Sequence, residues 1–183
     1  MKFLKRKQID DEKWNECILQ STNGLIYGLT WFLDELTSNW SAFVIEKEGC
    51  YTSVFPIPFR RKFGFKYVYP PFFIQQLGLF THGYSEDEES QMIFLMKKKF
   101  KFIELNLNYM AKSGEVKNNL VLQINTAYSS IKNAYSKNHS RNLKKADKLG
   151  LKLKRDTLPL NIIHLFKSNR GLILNKYSSK DLS

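Results

Sequence analysis

Cysteine is scarce in this chain of 183 residues: Cys17 and Cys50 are its only two, with no CxxC spacing. That excludes a disulfide framework and a cysteine-based zinc site, and both thiols are expected to be buried small hydrophobes in a reducing cytoplasm. Histidine is nearly as rare. His82, His139 and His164 lie far apart in sequence, so no metal-ligand spacing is present. GxGxxG, GxxxxGK[ST] and GxSxG motifs are missing, which sets aside dinucleotide, P-loop and serine-hydrolase chemistry. The longest apolar runs, such as Pro70 to Ile74, fall well short of the roughly 20 residues that a bilayer span needs. The basic start, Met1 to Lys7, leads into Asp10, Asp11 and Glu12 where a signal peptide would carry an apolar core. The expectation is a soluble, cytoplasmic protein without a membrane span.

Acidic residues are lacking in one part only. Residues 1–130 carry 16 Lys and Arg against 14 Asp and Glu, whereas residues 131–183 carry 13 against three. All three Trp, and every Phe except Phe166, precede residue 131. A core-forming front is therefore joined to a polar, basic back with little to bury, and the boundary expected from composition separates 1–128 from 129–183. A chain of this length has room for one ordinary domain plus an appendage.

What is present reads as a mixture of helices and strands. Phe3 to Ile9 is a candidate strand, Asp10–Asp11 starts a helix carrying Trp14, Cys17 and Ile18, and Thr30 is placed to cap a second short helix. Ser41–Glu46 and Tyr51–Phe59 form a hairpin through Lys47-Glu48-Gly49-Cys50, and a second turn through Arg60–Gly64 leads into Phe65–Tyr69. Pro56 and Pro58 mark Tyr51–Phe59 as an edge or bulged strand, because proline has no ladder donor. Phe72–Phe80 is a further strand candidate. Ser85-Glu86-Asp87-Glu88 is a capping box that opens a helix ending in Lys97, Lys98 and Lys99, with the charges arranged to suit the helix dipole. Phe102–Asn108 and Leu120–Thr126 read as strands, Ile131–Leu149 as a basic helix closed by Gly150, Leu151–Arg155 as a small strand, and Pro159 to about Gly171 as a last helix. The fold class expected is α/β of the α+β kind: a mixed, mostly antiparallel sheet flanked by helices.

Two stretches carry a resemblance. Tyr135-Ser136-Lys137-Asn138-His139-Ser140-Arg141-Asn142-Leu143-Lys144-Lys145-Ala146-Asp147-Lys148-Leu149-Gly150 resembles a pattern of the Fem family of peptidyltransferases, and Pro70-Pro71-Phe72-Phe73-Ile74-Gln75-Gln76-Leu77-Gly78 resembles a segment of Fem-like proteins with the GNAT acyltransferase fold. The order of elements is also the one that the GNAT fold uses. Two GNAT-like lobes with donor and acceptor meeting between them are what the resemblance implies, with acyl-CoA or aminoacyl-tRNA as donor and no metal. It implies an N-acetyltransferase or an aminoacyl-tRNA-dependent peptidyltransferase. The chain then amounts to one GNAT-like lobe and the start of an incomplete second lobe, and is expected to be inactive alone.

The donor motif expected of a GNAT lobe, [RQ]xxGx[GA] before a helix, is matched by Gln75 to Gly78 and broken at Phe80, and the next helix opens with Glu86, Asp87, Glu88 and Glu89. Those acids would repel a pyrophosphate, so this lobe is expected to bind no CoA. Tyr69, Gln75 and Gln76 are the candidate cleft-lining residues. One of the two glutamines is expected to be buried on a partner, where either a cleft role or a core hydrogen bond fits. Trp31, Trp40, Tyr67 and Tyr69 suit the core or a substrate platform. Arg141, Lys144, Lys145 and Lys148 share one sector of a helix, as a solvated face does and as a site for tRNA or another phosphate-bearing substrate does. A non-catalytic RNA-binding module built on this basic segment is the rival reading. The face of Ile162, Ile163, Leu165 and Phe166 lacks an obvious cover, so residues after about Arg155 are expected to be mobile, to fold back onto the first lobe, or to be covered by another chain such as a second copy.

Overall fold

In a computed structural model, which describes residues 1–174, the chain divides into two compact units, Met1–Gly114 and Glu115–Ser183. The first is an α+β domain. Its six-stranded, mostly antiparallel sheet is built from β1 (Lys2–Lys5), β2 (Trp40–Lys47), β3 (Cys50–Lys62), β4 (Phe65–Val68), β5 (Phe80–Thr81) and β6 (Phe102–Ile103), with α1 (Asp11–Gln20), α2 (Thr30–Leu36) and α3 (Glu86–Lys99) around it. The strand order is β1-β2-β3-β4-β6, with β5 also paired to β3, and only β4–β6 is parallel. That parallel pair follows from α3, which carries the chain from one end of the sheet back to the other.

The helix starts follow from local chemistry. Asp10 accepts hydrogen bonds from the Glu12 and Lys13 amides, and Ser85 accepts one from the Glu88 amide. Thr30 does not cap α2. It is the first helical residue, and its amide is satisfied from α1 by the Asn15 side chain at 2.9 Å. Both hairpins turn through two residues with positive φ, Glu48–Gly49 and Phe63–Gly64, the geometry that matches the twist of paired strands.

β3 is a central strand, not an edge strand. Its register against β2 does shift, at Thr52 between the Ile45–Ser53 and Glu46–Tyr51 pairs, away from the prolines, and those prolines explain a gap in its other ladder. The Phe59 amide donates toward β2, to the Asn39 carbonyl. By alternation, the nitrogens of Pro56 and Pro58 face the opposite edge. That edge pairs with β5 at Ser53–Val54 and with β4 at Phe59–Lys62, leaving Phe55–Pro58 unladdered between them. The missing donors thus lie where no ladder exists, and the loop 69–79 leaves the sheet there.

One face of the sheet packs on α1 and α2 through Trp14, Ile18, Leu33, Trp40, Val54 and Phe80, and the other on α3 through Phe43, Phe55, Ile57, Met92 and Met96. Fully burying each such side chain is worth about 1.5–3 kcal/mol. Gly28 is needed at the first of these interfaces. A Cβ there would lie 2.8 Å from Ile18 Cδ1 and 2.9 Å from a Phe80 ring carbon.

Several sequence expectations are corrected. Phe3–Ile9 is a strand only to Lys5, followed by a 3-10 turn over Arg6–Gln8. Cys17 is buried, but Cys50 is exposed because it opens β3 beside the hairpin turn. Trp31 is 54% exposed on α2, while Trp40 is buried. Phe72–Phe80 is a strand only at its last residue. Phe73 takes a positive φ, and a parallel bridge at Leu77–Leu107 is the first sheet contact of that segment.

The second unit holds α4 (Tyr128–Asn133), α5 (Lys137–Lys148) and α6 (Pro159–Leu174). The single helix expected over Ile131–Leu149 is broken at Ala134–Ser136, because Ser136 accepts a hydrogen bond from the His139 amide and so starts a new helix. Gly150, with φ of 63°, closes it as expected. Leu120–Thr126 and Leu151–Arg155 form no strand. Ile162 and Leu165 are more than half exposed on α6. Gly171 to Leu174 belong to that helix, and the residues beyond lie outside the described part. Among the described residues, no helix is long and apolar enough to cross a membrane.

Candidate functional site

The loop 69–79 carries three of the residues singled out from sequence. Tyr69 is half-buried, with the Arg60 guanidinium 4.3 Å from its ring centroid and the Tyr67 ring 6.2 Å away. Gln75 is exposed and accepts a long hydrogen bond of 3.4 Å from the Tyr27 hydroxyl, and Gln76 is half-buried. Neither glutamine is fully buried, contrary to expectation, because the segment is a loop and its side chains do not alternate between two covered faces.

The return of this loop to the sheet is tightly held. The Leu77 amide donates to the Asn106 carbonyl at 2.8 Å, and the Asn108 amide donates to the Leu77 carbonyl at 2.6 Å. Gly78 has φ of 119°, a conformation that side chains rarely adopt. Next, the Leu79 carbonyl accepts from two buried side chains, Asn23 Nδ2 at 2.7 Å and Asn108 Nδ2 at 2.8 Å.

A polar cluster follows at the start of α3. Ser53 Oγ donates to Glu88 Oε2 at 2.9 Å and lies 3.0 Å from Thr81 Oγ1. Glu88 is therefore engaged with β3, and only the Ser85 half of the capping box operates on the backbone. Glu89 is 1% exposed. Its Oε2 accepts from the Tyr84 hydroxyl at 2.8 Å and from the Lys112 amide at 3.2 Å, while its Oε1 is buried without a hydrogen bond. Burial, followed by the Glu89 carboxylate, pushes the Tyr84 hydroxyl up to about 12. Tyr84 is thus a fixed hydrogen-bond donor at neutral pH. Four carboxylates occupy the first turn of α3. The dipole of that turn is already matched by protein charge, which disfavours a second anion.

Arg141, Lys144 and Lys145 belong to the second unit and are exposed on α5, where the Arg141 guanidinium donates to Asn138 Oδ1 at 2.8 Å. The sequence candidates are therefore spread over two units. Asn23, Asn108 and Glu89 were missed by sequence reasoning. An isolated Asn gives no signal of burial, and Glu89 reads as one more acid in a capping run. Among the described residues, no group of three His, Cys, Asp or Glu could hold a metal ion. Compared with family models, curated proteins and solved structures, the chain matches none.

Proposed function

We propose that the first unit is a lobe of an acyl- or aminoacyl-transferase of the GNAT/Fem-like type. The observation that carries the reading is the order of elements around the sheet: a strand, two helices and an antiparallel meander, after which α3 returns the chain to a parallel strand beside β4. The loop 69–79, with Tyr69, Gln75 and Gln76, departs at the proline gap of β3 and is the acceptor-binding element in this reading. The carboxylates of Glu86, Asp87, Glu88 and Glu89 keep a donor pyrophosphate away from α3. An acyl-CoA or aminoacyl-tRNA donor is therefore not seated at the start of α3 in this reading.

A second reading has its own observation. Arg141, Lys144, Lys145 and Lys148 are exposed along one sector of α5, the footprint of a polyanion-binding module without chemistry. Thermal melts of the full-length protein separate the two. Stabilisation by acetyl-CoA or an aminoacyl-tRNA, beyond that given by uncharged RNA of equal length, is the result expected of the transferase. Equal stabilisation by any RNA, falling steeply with salt, selects the binding module. No stabilisation by any of these ligands overturns both readings.

A further inference from the structure

Strand register gathers an aromatic strip on one face of the sheet. Lys62 is paired with Phe65, Arg60 with Tyr67, and Tyr67 with Phe102. Directly paired residues project from the same face, so these side chains share a surface. Along β4 and just beyond it, Phe65, Tyr67 and Tyr69 fall on that face by alternation. Helices α1 and α2 cover its other end, over Val54 and Trp40. Over β4 and β6 it is open: Phe65 is 54% and Phe102 58% exposed, with Tyr67 and Tyr69 half-buried.

The rim of the strip is cationic. Besides Arg60 against Tyr69, the Lys101 ammonium lies 4.2 Å from the Phe65 ring centroid. Glu104, exposed two residues after Phe102, is the acid on the β6 side of this face. Exposed aromatic rings cost free energy in water, and their alignment across β4 and β6, beside basic groups of β3, fits a ligand with planar rings and a polyanionic backbone.

From this surface we infer a binding site for single-stranded nucleic acid, in which two or three unpaired bases stack on Phe65, Tyr67 and Phe102 while Arg60, Lys62 and Lys101 receive the phosphates. A sheet presenting aromatic rings to splayed bases is a general solution for this ligand. A duplex keeps its bases stacked on one another and gains nothing from the rings. The inference rests on the sheet face and is independent of the transferase reading.

The test uses the full-length protein and a labelled single-stranded oligonucleotide of mixed sequence, as RNA and as DNA, read by fluorescence anisotropy at several salt concentrations. The double variant Phe65→Ala/Phe102→Ala removes rings that are already more than half exposed, and circular dichroism melts verify its fold. Its affinity for the single strand is expected to fall about tenfold or more, with the salt slope unchanged and duplex binding unmoved. In Phe102→Trp, the new indole is expected to be quenched by the single strand and not by the duplex. Parent-like binding by the double variant overturns the proposal, since the basic helices would then account for all the affinity. No binding at low salt overturns it too. So does loss of binding only to vesicles containing anionic lipid, which reassigns the strip to a membrane surface.

Discussion

Asn23, from the turn after α1, and Asn108, from the segment after β6, donate to the same acceptor, the carbonyl of Leu79. Both are buried, and each has a second bond. Asn23 Oδ1 accepts from the Thr81 amide at 3.4 Å and Asn108 Oδ1 from the Met110 amide at 3.2 Å. The pair fixes the chain where the loop 69–79 rejoins the sheet. Either Asn→Ala change alone leaves Leu79 with one donor and is expected to cost about 1–2 kcal/mol in urea unfolding. The double change orphans the carbonyl, so its loss should exceed the sum of the two. Strict additivity would show that the shared acceptor is not what couples them.

A second prediction concerns acid. The Arg6 guanidinium forms bonds to both Asp34 oxygens and to both Asp11 oxygens. Burial alone would push the Asp34 carboxyl up, but hydrogen bonds from Arg6 and Trp40 outweigh it and hold the carboxyl below its usual value. A carboxyl with a lowered folded pKa binds fewer protons folded than unfolded near its ordinary value of about 3.9. Its contribution is therefore present above that pH and lost as pH falls through the lower folded value. Asp34→Asn should melt below the parent at neutral pH, and the two melting curves should converge on acidification below about pH 4. Parallel curves throughout would refute the assignment.

What the sequence showed and what it hid divide along physical lines. Caps at Asp10 and Ser85, turns at Gly49 and Gly64, and the helix stop at Gly150 were legible because each is set by a few neighbouring residues. Phe72–Phe80 was misread because an apolar run looks alike as a strand and as a buried loop; the positive φ of Phe73 and Gly78 breaks it. Leu120–Thr126 and Leu151–Arg155 have strand-like composition but pair with no neighbouring strand, and pairing is what makes a strand stable. Asn15 capping α2 is equally invisible to a local window, because the cap comes from another helix. In the candidate loop, Gln75 and Gln76 stood out as polar residues in an apolar run, whereas the asparagines that hold the loop did not. The aromatic strip depends on register between β3, β4 and β6, which spacing along the chain does not encode.

The tip of the β3–β4 hairpin carries a local conflict. Phe63 takes φ of 50° in the turn and is 88% exposed, so a bulky side chain bears left-handed strain without burial in return. Such a conformation costs on the order of 1 kcal/mol or more for a residue other than glycine or asparagine. Asn-Gly is the pair this turn favours. Phe63→Asn is therefore expected to raise stability by about 0.5–1 kcal/mol in denaturant melts. Unchanged or lower stability would mean that the exposed ring makes a contact worth at least as much as the strain.

The last prediction follows from where burial stops. Among the described residues, every one that forms the two core clusters lies at or before Leu107, and Asn108 and the Lys112 amide make the last bonds into the polar framework of that unit. From Lys112 to Ser130 all residues are exposed, and Ser113 to Thr126 contain no helix or strand. An exposed segment without secondary structure is where a protease gains access. Limited proteolysis is expected to cut first between about residues 114 and 127 and to leave a resistant fragment ending there. A chain ending at Gly114 should fold by itself, with the cooperative unfolding and near-ultraviolet dichroism of a packed aromatic core. Ending it instead at Asn106 removes Leu107 from the core together with three hydrogen bonds, Asn108 amide to Leu77, Asn108 side chain to Leu79 and Lys112 amide to Glu89, and should cost about 1.5–4.5 kcal/mol from the bonds alone, at roughly 0.5–1.5 kcal/mol for each. Mass spectrometry of the digest and urea melts of the two shortened chains check this together. A first cut within residues 1–110, or a 1–114 chain that fails to unfold cooperatively, would show that the first unit depends on the residues after it.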